Sequence, residues 1–582
     1  MKDICFGKHS RRRIRQFFPR FFFIFGILCL LPAGLLFSLP PQKILHPGDW
    51  TYDALAILSR EQKEVFFADS RITVAQMEKY LEEIDEEALS PSGLAIYYRL
   101  SEYLKSDSWV EYNSDAVSLN LDLAVQGESY FKTNENVPWI YDYHSRNPFL
   151  LIPLGFSIGP WITAEMDLNV GQNEYAALLH RNYVNIPWDP VPQWDIHFPK
   201  RAFVSAGLPF GEKSGINMAF GLGDNFYGNT QTGSIIVSEY LERIVYAQAT
   251  VFSPVFKYTA QVMQYEVNKY HYMHYLQVRP HRTLSVSLAE GVMANAPLEL
   301  RFLNPFTIFH SYESYKTYTS YNEDLGHVKT NSDDYWDGSY DRVYDPNQDS
   351  RIGSYFGAKI EWQPVRFFRF YGLLVFDVFD LPMKKKHWME GLFPDAVGFQ
   401  AGADFSFPSR SGYWEFGLEG VYTYPYLYIM WDKGWSFYKE VPELDSMTLR
   451  YWTGTPFGPD TIAGAFSAGF RSSSLWYAGL SFVFSARGNN SDPGIFDLDE
   501  NINNTYRPSH VVYDVTVPPT GTPVFTYTIS LKGEYYPNRN WSFIFQPGYR
   551  IAVNSRNEEG KAVEGRVEQS FEAAVSLRYC PH

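Results

Sequence analysis

Between Val563 and Tyr579 apolar and polar side chains keep opposite parity. Val563, Val567, Phe571, Ala573, Val575, Leu577 and Tyr579 share one, and Glu564, Arg566, Glu568, Glu572, Ser576 and Arg578 share the other. Period 2 puts the two sets on opposite faces of an extended strand. Tyr527, Ile529, Leu531 and Tyr535 alternate in the same way with Thr528, Ser530, Lys532 and Glu534. So do Trp541, Phe543, Phe545, Tyr549, Ile551 and Val553 with Ser542, Gln546, Arg550 and Asn554, and Phe256, Tyr258, Ala260 and Val262 with Lys257, Thr259 and Gln261. A half-buried soluble strand alternates too, so the distinguishing feature is repetition in segments of about ten residues, the signature of a transmembrane barrel. Past residue 40 the chain has no uncharged apolar run of 18 or more residues, which excludes a spanning helix from the mature protein.

The first 38 residues read as an export signal. A basic stretch (Arg11, Arg12, Arg13, Arg15, Arg20) precedes an apolar run from Phe21 to Leu31, followed by Pro32, Ala33, Gly34 and Ser38. A helical membrane anchor is the rival reading, but Pro32 and Gly34 cut the run below the roughly 20 residues a bilayer requires. The signal carries seven Lys/Arg and one acid, so without it the formal charge falls from -15 to -21. Such a chain lacks the basic footprint that nucleic acid needs. With Cys5 and Cys29 in the signal, Cys580 is the one mature thiol, so no internal disulfide forms. An 18% aromatic share excludes a disordered chain.

Helical spacing is confined to the region from about residue 45 to 110. Asp49 is placed to cap a helix from Trp50 to Gln62, and Thr73 with Gln76 forms a T-x-x-Q capping box for a second from Val74 to about Asp85. Ser90 and Pro91 open a third, to about Lys105. Leu81, Ile84, Leu94, Tyr97, Tyr98 and Leu104 recur at helical spacing, so a small three-helix unit is expected, lying in the periplasm between signal and barrel.

From residue 113 to 582 the pattern is that of strands. Short turns are predicted at Pro280 to Arg282, Gln363 to Val365, Pro408 to Gly412, Arg471 to Ser474 and Pro537 to Asn540. Long connections of roughly 293 to 351, 381 to 396, 430 to 460 and 487 to 526 fall between them. Outer-membrane barrels show this asymmetry, with short periplasmic turns and long outer loops. About eleven strands follow residue 271 and some seven precede it, so the expected fold is an all-β transmembrane barrel of about 18 antiparallel strands with a small N-terminal periplasmic α-helical region. Phe367 to Phe379 is apolar on both parities apart from Arg369 and Asp377, which points to a partly packed lumen.

Several segments resemble the outer-membrane capsule-assembly Wzi family. They are Gly223-Asp224-Asn225-Phe226-Tyr227-Gly228 with Gly233 to Ser238, Phe252-Ser253-Pro254, Phe256-Lys257-Tyr258-Thr259 and Leu276-Gln277-Val278-Arg279. Leu288-Ala289-Glu290-Gly291, Leu303-Asn304-Pro305-Phe306, Pro425-Tyr426-Leu427-Tyr428 and Gly458-Pro459-Asp460 follow in the same order. The resemblance implies an 18-stranded barrel with a periplasmic helical bundle, acting as a lectin that holds polysaccharide at the cell surface. The aromatic Tyr579 near the chain end resembles the terminal strand signal read by barrel assembly machinery, from which the extra Cys580, Pro581 and His582 depart.

A glycan site is also readable in the residues. Sugar rings stack their C–H faces on aromatic rings while their hydroxyls bond carboxylates and amides. The longest loop carries Tyr335, Trp336, Asp337, Tyr340, Asp341, Tyr344 and Asp345; another carries Trp431, Asp432, Lys433 and Trp435, followed by Tyr451 and Trp452. Tyr and Trp also form the girdles at both membrane interfaces, which accounts for most aromatics by default. His271 and His274 form H-x-x-H, but on a strand they face opposite ways. Asp345, Asn347 and Asp349 open like a calcium loop, yet Ser350 and Phe356 stand where Gly and Glu belong. Glu290 shares parity with Leu284, Val286 and Leu288, so either a bulge turns it inward or it lies at headgroup level. No nucleophile, base and orienter set assembles, so no enzyme and no cofactor is expected. The reading is an outer-membrane barrel, contacting membrane lipid, that binds surface polysaccharide through its outer loops; a porin or transport channel is the alternative.

Overall fold

A computed structural model describes residues 39–46, 48–105, 108–114, 116–140, 147–171, 182–185, 196–197, 201–211, 213–241, 244–309, 319–322, 327–330, 341–342, 352–378, 396–430, 434–442, 448–473, 476–489, 517–557 and 560–581. Eighteen strands form one circuit. In chain order they are β1 (Ala124–Lys132), β2 (Leu150–Ile158), β3 (Ile162–Val170), β4 (Ala202–Pro209), β5 (Gly215–Gly223), β6 (Ile244–Phe252), β7 (Phe256–Glu266), β8 (Lys269–His281) and β9 (Leu284–Asn295). They continue as β10 (Ile352–Trp362), β11 (Phe368–Val378), β12 (Ala396–Ser409), β13 (Gly412–Thr423), β14 (Thr461–Ser472), β15 (Trp476–Arg487), β16 (Val524–Tyr535), β17 (Trp541–Val553) and β18 (Val567–Tyr579). Each is antiparallel to the next, and β18 pairs with β1 from Tyr579↔Val125 to Glu572↔Lys132, which closes the ring. Four short segments, among them Val110–Asn113 and Val117–Leu121, extend the sheet at its rims.

Closure leaves no unpaired sheet edge in the wall, the condition for strands to cross lipid. Eleven strands lie from β8 onward and seven before it, as the spacing predicts. Each of the five predicted short turns joins a strand pair, and all lie at one end with 159–161, 210–214 and 253–255. The opposite end carries the long connections, with one exception: β7 and β8 are joined there by Val267 and Asn268 alone, Asn268 taking a positive φ of 60°. The exterior matches the predicted apolar parity. Val204, Leu276, Leu288, Ile360, Phe416, Phe482, Leu531 and Phe571 are all exposed and all point outward, while the charges of the same strands, Glu290 excepted, point in. A Lys or Arg on that outer face near a bilayer midplane would cost about 2–4 kcal/mol.

Three helices precede the barrel: α1 (Trp50–Gln62), α2 (Val74–Glu83) and α3 (Pro91–Leu104). Ser90 caps α3 through the Gly93 N–H, and Thr73 caps α2 through the Gln76 N–H, as expected. Two capping details differ from the sequence reading. Asp49 makes no side-chain bond to α1; its carboxylate accepts instead from the His46 N–H. The Gln76 side chain does not reach back to Thr73 but donates to Tyr80 Oη at 2.6 Å, so the capping box is one-sided. The helices do not pack only on themselves. Their core of Leu55, Leu58, Val74, Met77 and Leu100 takes in Phe226 and Tyr413 from the barrel. The unit is seated at the short-turn end: the Val65 N–H donates to Arg282 O, the Phe367 N–H to Arg60 O, and Ser92 Oγ to Ser409 O.

Candidate functional site

Inside the barrel the alternation produces two different walls. Along β8–β13 every inward position from the short-turn end upward meets other protein. The first layer is ionic. Lys257 on β7 donates to the carbonyls of Phe67 and Arg71 at 3.2 and 3.1 Å, fixing the chain between α1 and α2 inside the ring. Lys359 bridges Asp69 and Glu361 at 2.8 and 2.7 Å, and Arg369 joins Glu361 to Asp404 at 2.9 and 2.6 Å. Tyr275 and Gln277 donate to the same Asp69 carboxylate. Asp69, Lys359, Glu361, Arg369 and Asp404 are therefore matched and bonded, the arrangement under which ions survive burial, while Lys257 is held by backbone carbonyls. Arg369 is thus one of the two polar breaks in the doubly apolar segment, and its inward neighbours Tyr371, Leu373 and Val375 are buried, so the lumen is packed here as predicted.

The second layer is supplied by residues 224–241, the connection between β5 and β6, which turns into the lumen. Glu419 on β13 accepts from the Gln231 and Thr232 N–H groups at 2.8 and 3.0 Å and from Tyr371 Oη at 2.5 Å. Gln400 holds the segment from both sides, accepting from the Ile235 N–H and donating to Gly233 O. Gly233 sits at φ +94°, and a Cβ there would lie 2.5 Å from Ser238 Oγ and 2.8 Å from Pro456, so only glycine permits this turn. Ile235, Ile236, Val237 and Leu241 then form a buried core with Tyr355, Val375, Leu427, Tyr428 and Phe437.

Above that core is a mouth at the long-loop end. A hairpin of Tyr438–Pro442 and Thr448–Trp452 stands over the lumen. Its Glu440 N–H donates to Glu266 at 2.8 Å, Arg450 pairs with Glu440 at 2.7 Å, and the Lys269 ammonium lies 4.0 Å from the Tyr438 ring centroid. Trp435 and Tyr451 pack on the core and stay half-buried. Trp452 is 6% exposed, enclosed by Tyr438 and Tyr428. The structure thus brings Trp435, Tyr451 and Trp452 together and adds Glu266, Lys269, Glu440 and Arg450, which the sequence reading missed. Glu266 and Lys269 flank the two-residue β7–β8 turn, the one place where that end has no long loop. Among the other expected residues, Asp341 opens the two-residue strand Asp341–Arg342 paired to Tyr321 and Ser320. Tyr335, Trp336, Asp337, Tyr340, Trp431 and the acidic stretch from Asp345 lie outside the described residues.

The opposite wall differs. On β15–β17 the inward Ser481, Ser530, Lys532, Glu534, Gln546 and Arg550 are only half-buried or exposed, and Lys532 is 44% exposed beside Glu534. Arg550 donates to Pro138 O and Trp139 O, so residues 133–140 reach in at the long-loop end of this wall. Two histidines divide as strand geometry requires: His271 points inward to Tyr265 Oη at 3.0 Å, and His274 points outward. Glu290 also points outward, in unbroken register opposite His274, so no bulge redirects it.

No family model and no curated relative matches the chain. Among solved structures, similarity extends over 94% of this chain and 100% of Wzi, an outer-membrane protein involved in group 1 capsule assembly in Escherichia coli and described as a carbohydrate-binding β-barrel, with a TM-score of 0.55 and 12% identity. The outer-membrane channel DcaP of Acinetobacter baumannii is matched over 82% of this chain and all of its own, with 9% identity and a TM-score of 0.33. For OprD of Pseudomonas aeruginosa the shares are 79% and 93%, with 9% identity and a TM-score of 0.34. At such identities the likeness concerns the fold, that of an outer-membrane barrel.

Proposed function

We propose that this protein sits in the outer membrane, with its helical unit in the periplasm, and holds a surface polysaccharide at its long-loop end without reacting with it. The observation that carries this reading is the filled lumen along β8–β13, which ends in a mouth of half-buried aromatics beside bonded charges. A barrel that blocks half its own interior offers a surface there rather than a conduit. Trp435 and Tyr451 supply stacking faces, and Glu266, Glu440 and Arg450 supply acceptors and donors for hydroxyls. The likeness to a carbohydrate-binding barrel over nearly the whole chain supports the same reading. Tyr335, Trp336, Asp337, Tyr340, Asp341 and Trp431 belong to this proposal as further contacts from the long loops, and no catalytic residue or cofactor is assigned. Tyr579 is the aromatic that the assembly machinery would read. The test is binding of surface polysaccharide purified from the source cell to the folded barrel in detergent. Trp435→Ala and Tyr451→Ala are each expected to weaken binding about tenfold, the ratio that 1.4 kcal/mol gives. Wild-type protein that binds no glycan, or variants that bind as tightly, would overturn it.

A transport channel is the second reading, favoured by the half-exposed inward side chains of β15–β17. Planar-bilayer recordings separate the two. Stable open steps that a Ser530→Trp substitution blocks would favour transport, and a silent membrane favours surface binding.

A further inference from the structure

The chain after β9 does not rise straight from the barrel. Residues 296–309 fold back over the outer wall, with Phe302 packed on Tyr272 (ring centroids 5.0 Å apart) and Phe309 on His274 (4.1 Å). The Glu299 N–H donates to Tyr272 Oη at 3.0 Å, and Tyr258 Oη donates to Pro305 O. This apron covers His274, the cross-strand neighbour of Glu290, and so shields the imidazole on an otherwise apolar exterior. The apron's own outer side is apolar: Leu300, Phe306 and Ile308 are 78%, 92% and 61% exposed.

The apron forms one side of a groove. Opposite it, on β5, Met218 and Phe220 stand out at 57% and 62% exposure. Between them the floor is formed by the outward Ala247, Ala249 and Ala260 with Val262, of β6 and β7, Ala249 and Ala247 in register with Met218 and Phe220 on one flank and Ala260 with His274 on the other. The two sides are three strand spacings apart, about 14 Å at ~4.8 Å each. The cavity measures about 420 Å³, with Phe302 and Leu303 on the apron side. That lies within the ~300–1,000 Å³ of ligand pockets. It opens onto the same exterior as the exposed Leu276, Val278, Val286 and Leu288 of β8 and β9, so it is continuous with the barrel's lipid-facing band.

We propose that this groove is a binding site for one acyl chain of a membrane lipid. A second protein copy would need a raised surface to enter a recess bounded on both sides, whereas an acyl chain is already the solvent of this exterior and fits a narrow apolar slot. The inference requires only that the barrel sits in a bilayer, whether or not the long loops bind a glycan.

The experiment is photolabelling. The protein is reconstituted in phosphatidylcholine vesicles containing a small fraction of phosphatidylcholine with a diazirine on one acyl chain, irradiated, and the adducts mapped by mass spectrometry. Adducts on Leu303 and Val262 are expected to exceed those on Phe482 and Phe545, across the barrel, by about tenfold, the ratio of a 1.4 kcal/mol preference. The double substitution Ala249→Phe with Ala260→Phe fills the floor and should bring labelling down to that of Phe482, while Phe482 itself is unchanged. Leu303→Ser, which lowers the apron side, should do the same if the filled variant does not fold. Equal labelling at Leu303 and Phe482 in the wild type, enrichment that survives a folded filled variant, or chain-to-chain crosslinks through Leu303 in place of lipid adducts would each overturn the site.

Discussion

The walls β8–β13 and β15–β17 carry the same alternation of apolar and polar side chains, yet one is dry inside and the other wet. On the first, Lys359, Glu361 and Arg369 are buried in a closed ionic chain; on the second, Lys532 and Glu534 make the same kind of pair with Lys532 nearly half exposed. The strands do not create this difference. It comes from what the rest of the chain brings against them: the α1–α2 link, residues 224–241, and residues 424–430 and 434–437 all lean to one side. Alternation therefore decides which face meets lipid, while distant segments decide whether the other face meets water.

The largest effect should come from breaking the dry wall. Arg369→Ala leaves Asp404 with the Gln231 amide but no cation and Glu361 with Lys359 as its remaining cation, in a largely buried site. Removing one member of a buried pair costs about 3–5 kcal/mol. Lys532→Ala removes a comparable charge from the wet wall, where surface substitutions stay within about 0.5 kcal/mol. Unfolding midpoints of the two variants in the same detergent check the contrast, and equal losses would abolish the distinction between the walls.

A second test is chemical and needs no unfolding. With Cys580 replaced by Ser, a cysteine at Ser530 should react readily with a membrane-impermeant thiol reagent, whereas one at Ala289, on an inward site of β9 closed by the core, should not react until the barrel is unfolded. Mass increase over time reads the difference. Reaction at Ala289 as fast as at Ser530 would mean that water reaches both walls.

The wet wall was the more legible of the two. From Tyr527 to Tyr535 and Trp541 to Val553 parity alone assigned the lipid face, and the turn signals placed strand ends because a short hairpin is local chemistry. The fillers were not legible. Residues 224–241 read as an irregular Gly- and Ser-containing connection, and nothing nearby announces that Thr232 meets Glu419, 187 residues later. Glu290 was legible only in part. Parity placed it outward, and the unbroken register removes the bulge alternative; the loop folded back over its neighbour His274 was not legible. Of the aromatic site, the half-buried Trp435 and Tyr451 were visible as loop aromatics. The enclosure of Trp452 depends on Tyr428 and Tyr438, which only the folded hairpin brings together.

The smallest expected effect lies at the margin of the filled half, where the N-terminal segment meets the end of β5. His46 Nε2 is 3.1 Å from Asp224 Oδ2, and both side chains keep about a quarter of their surface. Burial pushes the imidazole toward neutrality and Arg201 does the same, but the hydrogen bond to Asp224, with help from the Asp49 charge, outweighs them and raises its pKa above the usual 6.5. Because the folded state binds this proton more tightly than the unfolded chain, the pair stabilises seating fully below about pH 6.5, and the contribution fades as pH rises through the raised value. At this exposure it amounts to about 0.2–1 kcal/mol. Urea midpoints of wild type and His46→Gln should therefore differ most near pH 5.5 and converge near pH 9. If the gap between the two proteins stays constant across that range, His46 serves by shape alone, and the filled half of the lumen has no titratable margin at this point.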